Sequence, residues 1–322
     1  MLNHSRFLLL VMFLVLLAAC TPIISFGPTA VNTPTGLFSQ ASLLLAPTDN
    51  LIPAANLEPT VPSLPAANLE PTITSLPALI PLDPANWKSW PVIPIIPERA
   101  REIYLLGQSL GNDPHAFSVF GDCQSEPDVF MGIYETDPAV LAELPQDLQQ
   151  TVAWFTGSFN RLSPTVRGGT TAGALLWPQW HENKFTCTIY ESPLQCELRI
   201  HKPSFVIIHV GTHYENRNEQ YMRSILDQLI AAGIVPILAT KADDRELDDH
   251  VNTQYAQLAV EYKIPFWNFW AAVDGLPNRG LYTRPDATYQ GDLYLIDEAA
   301  AFHRLAALQA LDAVWRAVTG SR

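Results

Sequence analysis

A thiol at a sharp turn is the group in this chain best placed for chemistry. Ala116 to Phe120 (AFSVF) is a short apolar run, and it leads into Gly121-Asp122-Cys123-Gln124-Ser125. Glycine and aspartate before the cysteine favour a tight turn that exposes Cys123 and turns its own N–H toward the same point. A thiolate is intrinsically more nucleophilic than an alcohol, so Cys123 suits attack on an acyl carbon, with backbone N–H groups holding the developing oxyanion. Three other stretches carry groups that could join it: Arg167-Gly168-Gly169-Thr170-Thr171-Ala172, His209-Val210-Gly211-Thr212-His213, and Asp286-Ala287-Thr288-Tyr289. His213 offers an imidazole for a Cys123/His213 dyad, whereas His209 sits inside an apolar run. The acids of Thr240 to Glu246 (TKADDRE) could line a cleft or hold a cation, but a solvated loop with helix-capping acids is the simpler expectation. Trp267 and Trp270 flank Asn268 and could stack on a sugar ring, with core packing the simpler expectation. No Cys/His spacing suits zinc and no glycine-rich phosphate loop is present, so neither metal nor cofactor is expected.

The elements around these groups alternate between strand and helix. Strands are predicted at 116–120, 204–210 (SFVIIHV), 234–239 (IVPILA) and 264–269 (IPFWNF). Helices are predicted at 146–155, 219–232, 253–262 and 298–318, from apolar positions recurring on one face and, at Gly233, a glycine stop. The strands are near-continuous apolar runs, which indicates a parallel sheet covered on both faces. Ligands in such sheets sit beyond the C-terminal strand ends, so the loops after Phe120, Val210, Ala239 and Phe269 are the ones expected to carry function.

In order along the chain, these loops resemble the conserved blocks of the SGNH/GDSL hydrolases. Gly121-Asp122-Cys123 resembles the first block, with Cys123 where the family has serine. Arg167 to Ala172 resembles the second, whose glycine N–H is an oxyanion donor; Gly169 is the matching position and Gly168 its neighbour. His209 to His213 resembles the third, with His213 in place of an asparagine donor. Asp286 to Tyr289 resembles the last, Asp286 matching the orienting acid and Tyr289 standing where the family has its histidine base. The resemblance spans roughly residues 116 to 320. It implies a flavodoxin-like, three-layer α/β/α sandwich with a central parallel sheet. It also implies hydrolysis of an ester or acyl group on a small acyl or glycan ester of an envelope or extracellular substrate. A phenol near pKa 10 does not accept a proton at neutral pH as imidazole does. The alternative is therefore a domain that keeps the cleft without turnover, a binding module displayed on the cell surface. A plain structural surface protein is a third class.

The first 80 or so residues address location. Arg6 precedes a thirteen-residue apolar run, Phe7 to Ala19, that is too short to span a bilayer but suits a secretory leader. Leu17-Ala18-Ala19-Cys20 resembles the bacterial lipobox, which implies a signal peptide over 1–19, lipidation of Cys20 and attachment to the membrane through its acyl chains. Fifteen of the 27 prolines fall between Thr21 and Pro97, and two twelve-residue units, PAANLEPTVPSL and PAANLEPTITSL, follow one another there. Such proline-broken chain favours extended, semi-rigid conformations, so 20–97 reads as a tether and 98–322 as one α/β domain. Secretion would place the other thiols in an oxidising compartment. Cys187 and Cys196 bracket a short loop and form the natural pair, leaving Cys123 the odd thiol. The net charge of -13 and the lack of a Lys/Arg cluster argue against nucleic acid as partner, and the domain is expected to be a monomer.

Overall fold

The computed structural model describes residues 82–212, 217–282 and 294–321. The leader, Cys20, the tether as far as residue 81, and the expected site residues His213, Asp286 and Tyr289 lie outside the described residues.

Four strands build the centre: β1 (Asp113–Gly121), β2 (Pro203–His209), β3 (Val235–Ala239) and β4 (Phe266–Trp267). They pair in that order, each pair parallel, with Phe120 opposite Ile208, Ile207 opposite Ile237 and Leu238 opposite Phe266. All residues of β2 and β3 are buried, which is why their sequences run apolar without alternation. On the free side of β1, Val166 makes a single parallel bridge to Gly121. That bridge, just before Arg167, comes second in chain order while standing outside β1. The sheet therefore reverses direction between Val166 and β2, a doubly wound order whose switch point opens beside β1.

The helices follow from local signals. Helix α1 (Glu98–Leu110) ends at Gly111, α2 spans Gln146–Trp154, and α3 (Pro193–His201) opens with a Ser192/Gln195 capping box. Helix α4 (Glu219–Ala231) turns Met222, Ile225, Leu226 and Leu229 inward, and α5 covers His250–Tyr262. Both lie against β3, whereas α7 (Asp297–Thr319), following the short α6 (Phe269–Val273), packs on α1 and α2. Right-handed crossovers account for this division between the two faces. Cys187 is disulfide-bonded to Cys196, which sits in the first turn of α3, at a Cα–Cα distance of 5.2 Å. No described helix is long and apolar enough to cross a membrane.

Two expectations need correction. The strand expected over 264–269 is only Phe266–Trp267, because the Asn268 side chain accepts from Ala271 N–H and starts α6. The folded body also begins well before Glu98. Pro84–Ser89 forms a 3-10 helix, and Trp87 and Trp90 are buried, each edge-on to an aromatic ring, Trp270 and Phe266 respectively. Asn268 Nδ2 donates to the carbonyls of Trp87 and Trp90 at 2.9 and 3.1 Å, and Trp87 Nε1 donates to Thr253 Oγ1 at 3.1 Å. Two tryptophans offer more apolar area than a proline-rich spacer needs in water, so Trp87 and Trp90 join the core and the segment around them belongs to the folded body.

Trp87→Ala is expected to destabilise the protein by about 3 kcal/mol, the usual cost of truncating a buried aromatic. Urea unfolding of the full chain measures it. A change within experimental error would return this segment to the tether.

Candidate functional site

Backbone sterics build the elbow after β1. Gly121 N–H donates to Thr165 carbonyl at 3.1 Å, and a Cβ on Gly121 would lie 2.2 Å from Ser125 Cβ, so only glycine lets the chain fold back here. Asp122 then caps a 3-10 turn, Cys123–Ser125: its Oδ1 accepts from Gln124 N–H at 3.1 Å and its carbonyl from Ser125 N–H at 3.0 Å. The result is a half-buried Cys123 thiol, outside the disulfide, just beyond the C-terminal end of β1.

Beside the elbow lies the loop after Val166. Gly168 N–H donates to Glu126 Oε1 at 2.7 Å, tying this loop to the residue three after Cys123. That bond occupies Gly168. Gly169 adopts φ +82°, and its N–H makes no hydrogen bond among the described residues. Gly169 is thus the open donor of the pair.

Beneath the elbow runs a buried polar chain that sequence reasoning placed in solvent. Asp122 and Asp243 are each 2% exposed and Lys241 3%. Asp122 lies close to the Thr212 side chain, which favours its charged form. Thr212 Oγ1 donates to Asp243 Oδ2 at 3.0 Å. Lys241 Nζ donates to Asp243 Oδ1 at 2.8 Å and to Glu246 Oε2 at 2.6 Å, and Glu246 Oε1 accepts from Val251 N–H at the start of α5. The loops after β1, β2 and β3 are therefore linked through side chains. Burial, with the Asp243 carboxylate adding repulsion, pushes Asp122 up to about 7 against the Gln124 amide bond that favours its charge. One lysine faces three carboxyls here, so a proton on Asp122 relieves the excess negative charge.

A second polar chain sits behind the elbow. Ser125 Oγ lies 3.2 Å from His209 Nδ1, and His303 Nε2 lies 3.2 Å from the same nitrogen. Burial pulls His209 down to about 4 and His303 well below its ordinary value, each imidazole also packed against Trp267 and Phe269. Both rings are neutral at pH 7. The partner of His303, on α7, is on β2. Trp267 is fully buried and Trp270 nearly so, as core packing anticipates.

Of the expected residues, the elbow places Asp122 and Cys123 together, and Gly169 stands on the loop bonded to it; His213, Asp286 and Tyr289 lie outside the described residues. Among described groups, the carboxylates of Asp244, Glu246 and Asp248 approach one another within 4.8 Å. Each already has a partner: Glu246 has Lys241, Asp248 has Arg217, and Asp244 accepts from Asp249 N–H.

No family model and no curated protein matches the sequence. Solved structures that overlay on it include a GDSL-like lipase from Bacteroides thetaiotaomicron, 17% identical, covering 66% of this chain and 97% of its own, at a TM-score of 0.38. Another is the psychrotrophic esterase EstA from a Pseudoalteromonas species, 14% identical, covering 62% of this chain and 97% of its own, also at 0.38. Likeness at this level carries nothing about chemistry, and the fold stands on the chain's own parallel sheet.

The Asp122 carboxyl makes a pH prediction. Its folded value is raised, so folding favours the protonated form. The stabilisation is complete below the unfolded value near 4 and is lost as pH rises toward about 7. Asp122→Asn keeps the neutral shape at every pH. The variant should gain stability relative to the parent between about pH 4 and 7 and hold that gain above. His209 titrates over the same interval with the opposite sign, but in both proteins, so it cancels in the difference. Urea midpoints across pH measure the gap, and a gap independent of pH would contradict the raised value.

Proposed function

We propose that this chain is a lipid-anchored hydrolase of ester or acyl groups on an envelope or extracellular substrate, with Cys123 as its nucleophile. The observation that carries the reading is the half-buried Cys123 thiol, held by a glycine-dependent elbow at the C-terminal end of β1, where a doubly wound sheet presents its ligand. The order of blocks that resembles the SGNH/GDSL hydrolases supports the same assignment. So does the Gly169 N–H, which makes no hydrogen bond among the described residues, on the loop bonded to the elbow.

In this reading the Cys123 sulfur attacks the ester carbonyl carbon, and the carbonyl π pair moves to oxygen. The Gly169 N–H, the Cys123 N–H and the His213 ring N–H are the donors for that oxyanion. Collapse expels the alcohol, which takes up the proton released from the thiol, and leaves a thioester. Water then adds to the thioester, and the acid departs as the thiol is restored. His209 and His303 stand apart from proton transfer because they are buried, neutral and bonded to Ser125 and to each other. Asp122 acts through the backbone, shaping the turn. Asp286 is the orienting acid, with Tyr289 where an imidazole would complete the relay.

Location follows from the lipobox-like Cys20, the proline-rich tether and a disulfide compatible with an oxidising compartment. The alternative is a surface-displayed binding domain without turnover. It is favoured by the departures from the family pattern at Cys123, His213 and Tyr289.

Hydrolysis of p-nitrophenyl acetate by the full chain separates the two. The hydrolase reading expects turnover that falls to the uncatalysed background in Cys123→Ala. It also expects Tyr289→His to raise the rate by about 10²–10⁴, the usual worth of a positioned base. A robust parent rate unchanged in Cys123→Ala rules out the thiol as nucleophile. No turnover in either the parent or Tyr289→His leaves the binding domain.

A further inference from the structure

An open cleft on the described surface lies beside the Gly169 loop rather than over the elbow itself. It has a volume of about 550 Å³ and is lined by Gly173, Ala174, Leu176, Trp177, Trp180 and Tyr221. That volume is within the range of small-molecule sites, roughly 300–1,000 Å³. Three of its six lining residues are aromatic, and two of them are well exposed: Trp177 by 53% and Tyr221 by 38%. Water-facing aromatic rings grouped around one concavity are an unusual use of surface, because each ring would lower its free energy by burial.

Two of the three rings, Trp180 and Tyr221, are held by neighbours. Trp180 Nε1 donates to Thr170 Oγ1 at 3.2 Å, and the Arg167 guanidinium lies 3.9 Å from the ring centroid. A Cβ on Gly173 would sit 3.0 Å from the Tyr221 ring, so the phenol rests directly on backbone. Charges rim the same region: Arg167 approaches Glu182 at 3.6 Å, and Lys184 pairs with Glu182 at 2.7 Å. The cleft therefore offers flat apolar walls, with the Arg167 guanidinium stacked on one of them and Glu182 paired to it.

We infer that this cleft binds a glycan chain of hexopyranose units. A pyranose ring has a C–H face that packs on an aromatic wall and equatorial hydroxyls that meet carboxylate and guanidinium groups at the rim. An acyl chain is served better by an enclosed aliphatic tunnel, whereas this cleft is open and its aliphatic contribution is limited to Ala174 and Leu176. A nucleic-acid strand calls for an extended basic groove, and the chain carries a net charge of -13 with no Lys/Arg cluster.

The cleft connects to the elbow. A Cβ on Gly169 would lie 3.7 Å from the Trp180 ring, and Gly168 is bonded to Glu126 of the elbow turn. A sugar on the aromatic walls would carry its O-acyl group toward the Gly169 N–H, making an O-acylated glycan the substrate class. That last step rests on the hydrolase reading; the glycan site itself does not.

The test is equilibrium binding by the full-length Cys123→Ala protein, followed through tryptophan fluorescence and calorimetry. The probes are cellotetraose, chitotetraose and, as the acyl control, decanoate. Saturable binding of at least one tetrasaccharide is expected, weakened about tenfold or more by Trp177→Ala and by Tyr221→Ala, as is typical of aromatic anchors. Both positions are exposed, so neither variant threatens folding. The proposal is overturned if neither tetrasaccharide binds, if both variants bind as the parent does, or if decanoate is preferred. Glycan binding with no turnover in any assay would sink the hydrolase reading alone. Turnover of p-nitrophenyl acetate without glycan binding would sink the cleft assignment alone.

Discussion

The buried chain Asp122–Thr212–Asp243–Lys241–Glu246 is the interaction on which the shape of the site depends. Parallel strands deliver their C-terminal loops to one edge but do not fix those loops to one another. Here the loops after β1, β2 and β3 meet through side chains that water hardly reaches. Withdrawing one ammonium and three carboxyls from water is costly, and pairing in a low dielectric repays that only when every lone pair and proton finds a partner. Thr212, the Asp243 carbonyl and the Val251 and Gln124 amides provide those partners. The remaining imbalance appears as the raised Asp122. A network that loses much of its stabilisation when one member moves is a means of holding a turn in one conformation.

Two kinds of polar environment adjoin the elbow, and they differ in purpose. The strut below it is charged and complete. The Ser125–His209–His303 group behind it is neutral, enclosed by Phe130, Trp267 and Phe269. Both histidines lose their proton to desolvation rather than to a neighbouring cation alone. Such rings fill space and join β2 to α7 while offering little basicity. Proximity to a candidate nucleophile is therefore a poor guide to a catalytic histidine: solvation decides whether an imbalance of protons can be carried at all.

The junction between tether and domain obeys the same economy of apolar surface. Asn268, at the end of β4, starts α6 with its side-chain oxygen and holds the Trp87–Trp90 turn with its amide. A single side chain thus couples the entry of the chain into the fold to the far edge of the sheet. The aromatic cleft shows the converse case. Trp177 and Tyr221 stay exposed although the protein buries other tryptophans efficiently, which separates rings that serve packing from rings that face the open cleft.

The sequence by itself determined β1, β2 and β3, the principal helices, the parallel character of the sheet, the Cys187–Cys196 pairing and the elbow that carries Cys123. Each is a local pattern: an apolar run, a helical period, a cap, a loop length. Only the tertiary structure decided that Lys241 and Asp243 are buried with the Glu246 side chain against them, that Ser125 meets His209 and His209 meets His303, that Trp87 and Trp90 belong to the core, and that the Gly168 N–H is the one bonded to Glu126. A loop rich in acids reads as solvated because sequence carries no record of the partner that neutralises it. Those partners lie on other loops, and which loops meet is fixed by strand order and crossover hand. Local chemistry is written in neighbouring residues, whereas desolvation is a property of everything that packs around them.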